Sequence, residues 1–209
     1  MTFCKVMQLS QLPVYCTTIK KIVTINIVLL LMATNVTAQR KQHCIIKTTL
    51  GNITIELYPL KAPVTVANFL KYVDARLYDS SSFFRAVTLQ NQPKDPIKIE
   101  VIQGGNVDST KEFAPIPLET TQQTGLHHKN GTISMARSGP ATATSSFFIC
   151  INDQPSLDYG GKRNKDGQGF AAFGKVTKGM ELVKKIQQLY PAQGQYFKPA
   201  VIILSVTRQ

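Results

Sequence analysis

Residues 44–57 read CIIKTTLGNITIEL, two β-rich runs separated by the pair Gly51-Asn52. Gly and Asn accept positive φ angles, so this pair is typical of a tight hairpin turn. In the second run Ile53, Ile55 and Leu57 alternate with polar residues, which indicates a strand with one buried face. The segment therefore predicts an antiparallel β-hairpin at the start of the folded part of the chain.

Further short β-rich runs follow along the chain, at residues 97–102, 131–136, 147–152, 171–176 and 201–206. Helical periodicity occurs twice. Pro63 opens one helix, whose apolar stripe consists of Val66, Phe69, Leu70, Val73 and Leu77. The second helix is expected over residues 180–189. Because helices do not alternate with the strands, a parallel sheet is disfavoured, and an antiparallel barrel or sandwich with a helix at each open end is favoured.

The N-terminal 38 residues have the pattern of a secretory signal peptide. Lys20 and Lys21 precede an apolar run at 22–33, and small residues at Val36 and Ala38 favour cleavage after Ala38. The run is shorter than the ~20 residues that cross a bilayer, so a stable membrane anchor is disfavoured. We therefore expect a signal peptide at 1–38, a single domain at 39–209, and a secreted or periplasmic protein.

Composition and motifs exclude several classes. Of 209 residues, 43% are hydrophobic and 17% charged, which suits a packed domain. The formal net charge of +12 is scattered rather than arranged in a stripe with aromatic residues, so nucleic-acid binding is disfavoured. Phosphate-loop, dinucleotide, zinc-protease and serine-hydrolase motifs are absent from the sequence.

Few residues suggest metal or nucleophilic chemistry. His127 and His128 lie in a polar segment without further ligands at metal spacing, and we interpret them as turn residues. Neither paired acids nor a nucleophile with its own base is visible. Cys44 and Cys150 follow the predicted cleavage site and either pair or remain as buried thiols. No cofactor or metal is expected.

Several motifs in register resemble the cyclophilins, a family of peptidyl-prolyl cis/trans isomerases. The resemblance extends from about residue 45 to residue 206. The stretches that carry it are YDSSSFFR (78–85), VIQGGN (101–106), NGTISMA (130–136), SSFFI (145–149), LD (157–158) and FGKVTKGM (173–180). It implies an all-β fold, a closed eight-stranded antiparallel barrel capped by two α-helices. It also implies an isomerase that accelerates rotation about X-Pro bonds, here during the folding of exported proteins.

The resemblance also implies residue roles. Arg85 is expected to be the catalytic arginine, and Gln103 the glutamine that holds the substrate backbone. The other expected substrate-binding residues are Phe83, Val101, Met135, Ala136, Arg137, Ser146, Phe148, Leu157 and Phe170. The implied partners are proline-containing polypeptides and cyclosporin-like ligands, and a monomer is expected.

The chain departs from the family pattern at several positions. Phe84 replaces a usual His, and Ser146 stands where Gln is common. An insert, residues 89–99, separates Arg85 from Gln103 and is expected to form a hairpin extension or loop. Glu100 then falls where a pocket Phe is usual, unless the insert shifts the register.

Two other functions remain open on the sequence alone. The departures at Phe84, Ser146 and Glu100 are compatible with a non-catalytic module that binds proline-containing peptides or acts as a chaperone. A barrel that carries a small apolar ligand is the third reading, although Arg85 and Gln103 would be unusual residues to line its cavity.

Overall fold

The structure is a computed structural model that describes residues 41–189 and 194–209. The predicted signal peptide at 1–38 lies outside these residues. The eight strands are β1 (Gln42–Thr48), β2 (Gly51–Leu57), β3 (Ser82–Val87), β4 (Val101–Gly104), β5 (Thr132–Met135), β6 (Phe147–Cys150), β7 (Ala171–Lys178) and β8 (Tyr196–Arg208). The helices are α1 (Pro63–Asp74), the four-residue α2 (Thr121–Thr124) and α3 (Met180–Gln188).

The strands close into an antiparallel barrel in the order β1-β2-β7-β5-β6-β4-β3-β8. This confirms the predicted fold, including the two longer helices. The barrel interior and the buried face of α1 form one apolar core, in which Phe69 of α1 packs against Phe147 and Phe173 of the strands. The described residues contain no helix long and apolar enough to span a membrane.

The first hairpin forms, but its turn lies two residues earlier than predicted. Thr48 pairs with Gly51, so Thr49 and Leu50 make the turn. The Thr48 hydroxyl closes it, accepting from the Leu50 N–H at 3.1 Å and donating to the Gly51 carbonyl at 2.9 Å. The Thr48 hydroxyl thus stabilises the turn, which the sequence had placed at the Gly51-Asn52 pair.

The insert is a loop rather than a hairpin extension. Gln92 is 1% exposed, and its side-chain amide nitrogen donates to the carbonyls of Thr88 and Ile99 at 2.6 and 2.7 Å. Its amide oxygen accepts from the Ile99 N–H at 3.2 Å. Because one side chain occupies both backbone groups of Ile99, β4 begins at Val101 and not at residue 97 as predicted.

Cys44 and Cys150 are buried free thiols, which settles the alternative that the sequence left open for this pair. Burial raises the pKa of Cys44 to about 11 and raises that of Cys150 well above its ordinary value. Both thiols are therefore protonated and unreactive at neutral pH.

Replacing Gln92 with Met tests whether this amide holds the insert. The variant keeps the side-chain length but leaves the partly buried Thr88 carbonyl and the buried carbonyl and N–H of Ile99 without this partner. We expect the free energy of unfolding to fall by about 1–3 kcal/mol, measured by urea denaturation. Gln90→Met, at an exposed position of the same loop, is the control and should change it little. Equal stability of the two variants would contradict this account.

Candidate active site

Three neighbouring strands bring the central residues of the site to one level. Arg85 of β3 lies opposite Gln103 of β4, and Gln103 lies opposite Phe148 of β6. Residues directly opposite each other in antiparallel strands have Cβ atoms about 4.5–5.5 Å apart. Three motifs that are distant in the sequence therefore converge on one patch of the barrel.

A β-bulge determines which side of the barrel Arg85 occupies. Phe83 pairs with Gly104 and Arg85 with Gln103, so two steps along β3 match one step along β4. Phe84 is the extra residue, and it turns Phe83 and Arg85 to opposite faces. Phe83 enters the core, where a Cβ on Gly104 would lie 2.8 Å from its ring.

The outer face of the barrel carries a second, smaller apolar cluster. Val101 and Phe148 face outward, whereas their neighbours Ile102 and Phe147 face the core. This alternation is the ordinary two-residue period of a strand. The cluster, on which Ala136 and Phe170 also pack, consists of Val87, Ile99, Val101, Phe148, Cys150 and Leu157.

A slot of about 110 Å³ opens above this cluster. The Phe170 ring stands edge-on to that of Phe148, with ring centroids 5.2 Å apart. Apolar side chains form the floor and walls, and three polar residues form the edge. The lining residues are Arg85, Ile99, Val101, Gln103, Ala136, Arg137, Phe148, Leu157 and Phe170. The slot has room for a small apolar ring beside a cationic donor.

The Arg85 guanidinium is held by two side-chain amides. Its Nη1 donates to Gln103 Oε1 at 2.9 Å, and its Nε and Nη2 donate to Gln195 Oε1 at 2.9 and 2.6 Å. None of the ion pairs among the described residues includes Arg85. Burial lowers the pKa of Arg85 from its ordinary value, yet a guanidinium remains charged at neutral pH.

Arg137, the second arginine of the slot, is neutralised. Its two terminal nitrogens bond both oxygens of the Asp166 carboxylate at 2.7 and 2.9 Å, and its Nε donates to the Gly169 carbonyl. This pairing lowers the pKa of Asp166 to about 2. Its guanidinium lies 5.4 Å from the Phe170 ring centroid and supports that wall of the slot. Arg85 is thus the slot arginine without a carboxylate partner.

A buried histidine supports the floor of the slot. His128 stacks on Phe148 at 5.9 Å between ring centroids, and its Nδ1 lies 2.6 Å from Asp158 Oδ1. The backbone N–H of His128 donates to the same carboxylate oxygen at 2.9 Å. The prediction of a turn residue is therefore wrong for His128, which is 1% exposed, whereas the His127 side chain is exposed.

The same network places Ser134, His128 and Asp158 in the order of a hydrolase triad. Ser134 Oγ lies 3.0 Å from His128 Nε2, but Ser134 is completely buried. A nucleophile must reach its substrate, so the three residues act as a support for Phe148 and not as a catalytic triad. The described residues contain no group of His, Cys, Asp or Glu that could hold a metal ion.

Eight of the eleven predicted site residues line the slot. Phe83 and Met135 belong to the core instead, and Ser146 lies outside the lining, where its carbonyl accepts from the Ala136 N–H at 2.8 Å. The structure does not bring these three to the slot, because strand alternation and the bulge turn the first two inward.

Two residues of the site were missed by the sequence reasoning. Ile99 lines the slot, whereas Glu100, which the sequence placed at a pocket position, accepts from Asn152 Nδ2 at 2.9 Å. Gln195, directly before β8, contacts Arg85 from 110 residues away. No sequence signal marks that contact.

Comparisons with known proteins agree on one family. A family model described as cyclophilin type peptidyl-prolyl cis-trans isomerase/CLD matches residues 43–208. Peptidyl-prolyl cis-trans isomerase A of Dickeya dadantii is 36% identical over 173 residues, which cover 79% of this chain and 84% of that protein. Peptidyl-prolyl cis-trans isomerase B of Escherichia coli is 33% identical over 168 residues, covering 75% of this chain and 93% of that protein.

Solved structures show the same fold. A cyclophilin type peptidyl-prolyl cis-trans isomerase of Cryptosporidium parvum superposes with a TM-score of 0.62 at 22% identity, covering 81% of this chain and 98% of that one. A second structure of that protein, obtained in the presence of the dipeptide Ala-Pro, has a TM-score of 0.60 at 21% identity and covers 80% of this chain and 99% of that one.

The support beneath Phe148 predicts a specific acid sensitivity. Burial raises the pKa of Asp158, but hydrogen bonds from His128 and His127 outweigh this and lower it to about 2, from an ordinary 3.8. A carboxyl whose pKa is lower in the folded state stabilises the fold above its ordinary pKa, and this contribution is lost as the pH falls through the folded value. We therefore expect Asp158→Asn to be less stable at pH 7 and to lose less stability between about pH 4 and pH 2.

Urea midpoints at pH 7, 4, 3 and 2.5 measure this difference. Asp153→Asn is the control, because Asp153 is an exposed carboxylate paired with Lys129, and such surface pairs contribute little. If the urea midpoint of Asp158→Asn fell as steeply on acidification as that of the parent, Asp158 would not be the cause of the acid sensitivity.

Proposed function

Since this chain belongs to the cyclophilin-type peptidyl-prolyl cis-trans isomerases, we propose that it accelerates rotation about X-Pro bonds by one group, the Arg85 guanidinium. The chain is a peptidyl-prolyl cis-trans isomerase; its mechanism, substrates and site of action are the proposal. The observation that carries the mechanism is an arginine at the edge of an apolar slot that forms no ion pair with any described residue.

The reaction needs little catalytic power. Rotation about a peptide bond has a barrier of ~18–20 kcal/mol, because the nitrogen lone pair is shared with the carbonyl. Uncatalysed X-Pro exchange takes tens to hundreds of seconds, so a median enzyme rate of ~10 s⁻¹ requires only a ~10³-fold acceleration, about 4 kcal/mol. One donor directed at charge that develops in the transition state contributes roughly 2.7–4 kcal/mol. Covalent chemistry is unnecessary.

Arg85 can supply that donor. As the bond twists, the proline nitrogen becomes pyramidal and regains a lone pair that accepts a hydrogen bond. A guanidinium has five N–H donors, and Gln103 and Gln195 take three of those on Arg85. No hydrogen bond among the described residues uses the second N–H on Nη1 or on Nη2. These donors would meet the nitrogen in the twisted state and not in the planar one, which is the requirement for catalysis.

The slot and Gln103 would hold the substrate. A proline ring would pack between Phe148, Leu157 and Phe170, fixing one side of the bond while the carbonyl side rotates. Gln103 Oε1 is engaged by Arg85, whereas its amide nitrogen has no hydrogen bond among the described residues. That nitrogen would donate to a substrate carbonyl, as the resemblance implied for this residue.

We further propose that the substrates are proline-containing polypeptides and that the protein acts as a monomer. The Ala-Pro dipeptide named with a similar structure is a ligand of the kind this slot would take. A cyclosporin-like cyclic peptide would compete for the same slot. The scattered positive charge gives no support to a nucleic-acid partner.

Replacing Arg85 with Ala removes the proposed donor. We expect kcat/KM for cis-to-trans relaxation of a short X-Pro peptide to fall ~10²–10³-fold, because transition-state stabilisation is lost. Peptide affinity, measured by titration, should weaken far less. Arg85→Lys should recover only part of the rate, because an ammonium lacks the planar fork.

Arg208→Ala is the matched control. Arg208 pairs with Asp74 at a half-exposed position on β8 and is outside the slot, so its loss should leave the relaxation rate unchanged. If the parent chain binds the peptide without accelerating relaxation, it acts as a non-catalytic module that binds proline-containing peptides. If Arg85→Ala keeps the parent rate, the mechanism is wrong.

We also propose that the protein acts on exported polypeptides after loss of residues 1–38. The support is the basic pair, apolar run and small residues that precede Gln39. Expression of the full chain in a Gram-negative host should place the protein in the periplasmic fraction with Gln39 as its first residue, as determined by N-terminal sequencing. Replacing Ala38 with Leu should block or shift this cleavage. An uncleaved chain in the membrane fraction would instead support an anchor.

A further inference from the structure

We propose that Gln195 is a positioning residue of the isomerase and that the insert, residues 89–99, fixes its orientation. This inference rests on the proposed function, because the orientation of Arg85 matters to the rate only if Arg85 is catalytic. It concerns a contact that connects the insert to the guanidinium through one side-chain amide.

Gln195 provides two of the three hydrogen bonds that the described residues make to the Arg85 guanidinium. Its Oε1 accepts from Nε at 2.9 Å and from Nη2 at 2.6 Å, whereas Gln103 accepts only from Nη1. A single contact at Nη1 would leave the guanidinium plane able to turn. Contacts at Nε and Nη2 fix that plane, and with it the direction of the spare N–H groups.

The insert determines which end of the Gln195 amide faces Arg85. Gln195 Nε2 donates to the main-chain carbonyl of Asn91 at 3.2 Å. A carbonyl can only accept a hydrogen bond, so the nitrogen must face Asn91 and the oxygen must face the guanidinium. If the amide were reversed, an N–H would face a cation and both contacts would be lost.

Both partners of this contact are themselves fixed to the segment that follows Arg85. The Asn91 side chain accepts from the Thr88 N–H at 2.9 Å and donates to the Ala86 carbonyl at 3.0 Å. The main-chain carbonyl of Gln195 accepts from the Ala86 N–H at 2.9 Å. The insert and the residue before β8 therefore meet beside β3, next to the arginine that they orient.

The choice of an amide is consistent with this role. A carboxylate at position 195 would bind the guanidinium in two places and neutralise it, as Asp166 does to Arg137. An amide oxygen orients the cation but leaves its charge available to a developing lone pair. Gln195 would thus act on the transition state through Arg85 without touching the substrate.

Gln195→Met tests the proposal, because Met has a similar length but offers Arg85 no comparable acceptor. We expect kcat for an X-Pro peptide to fall about tenfold, the size expected for loss of a hydrogen bond to a charged group. KM should change little, since the planar ground state does not use the Arg85 donor. The melting temperature should fall by only a few degrees, because Gln195 is half-buried.

Gln187→Met is the matched control. Gln187 Nε2 donates to the carbonyl of Val87, on the same strand as Arg85, but does not touch the guanidinium. We expect this variant to lower the melting temperature with kcat unchanged. A fall in kcat as large as that of Gln195→Met would show that any weakening near β3 has the same effect, and would overturn the proposal.

The effect must also depend on Arg85. In an Arg85→Ala background, Gln195→Met should cause no further loss, because the group that it orients is absent. A further tenfold loss there would overturn the positioning role. These outcomes are distinct from failure of the proposed function, in which Arg85→Ala itself would retain the parent rate.

The variant Gln92→Met tests whether the insert fixes the orientation of Gln195. It removes the hydrogen bonds that hold the loop carrying the Asn91 carbonyl. Measured below its unfolding temperature, this variant should lower kcat, and its effect should not add to that of Gln195→Met. Unchanged kcat in Gln92→Met would overturn the role of the insert.

Discussion

The site depends on a partly buried cation that is hydrogen-bonded but not neutralised. Removing a guanidinium from water is costly unless acceptors replace the water, and Arg85 finds two of them in the amide oxygens of Gln103 and Gln195. These neutral groups satisfy its donors while its charge remains. Arg137, at the same slot, shows the other solution: a carboxylate satisfies the donors and cancels the charge.

The barrel makes this arrangement possible because the residues that stabilise the fold and those that form the slot lie on opposite sides of its wall. Its interior is filled by one core, and the slot is built on a second cluster outside the wall. The bulge at Phe84 places Phe83 in the core and Arg85 at the slot, although the two residues are only two positions apart. The residues of the slot can therefore change without altering the packing that holds the strands.

Features that repeat along the sequence were predictable, and those that depend on one distant contact were not. Strand alternation and the helical stripe from Val66 to Leu77 favoured an antiparallel barrel or sandwich with two helices. The resemblance to the cyclophilins implied the closed barrel and a site shared by Arg85, Gln103 and Phe148. Alternation alone could not reveal the bulge that removes Phe83 from the slot. The burial of His128 and the contact of Gln195 with Arg85 each depend on a partner at least 30 residues away, and single-sequence patterns carry no such information.

The insert shows why a loop of unusual length need not loosen an active site. A loop of this length has a substantial entropic cost of ordering, which its own surface contacts would not offset. Gln92 offsets part of that cost by binding backbone groups at both ends of the loop, and Asn91 binds back to β3. The ordered loop then offers a main-chain carbonyl at a fixed point, and because a carbonyl only accepts hydrogen bonds, it selects the orientation of the Gln195 amide. The ordered insert thereby orients Arg85 through two consecutive contacts: the Asn91 carbonyl fixes the Gln195 amide, and the Gln195 oxygen fixes the guanidinium.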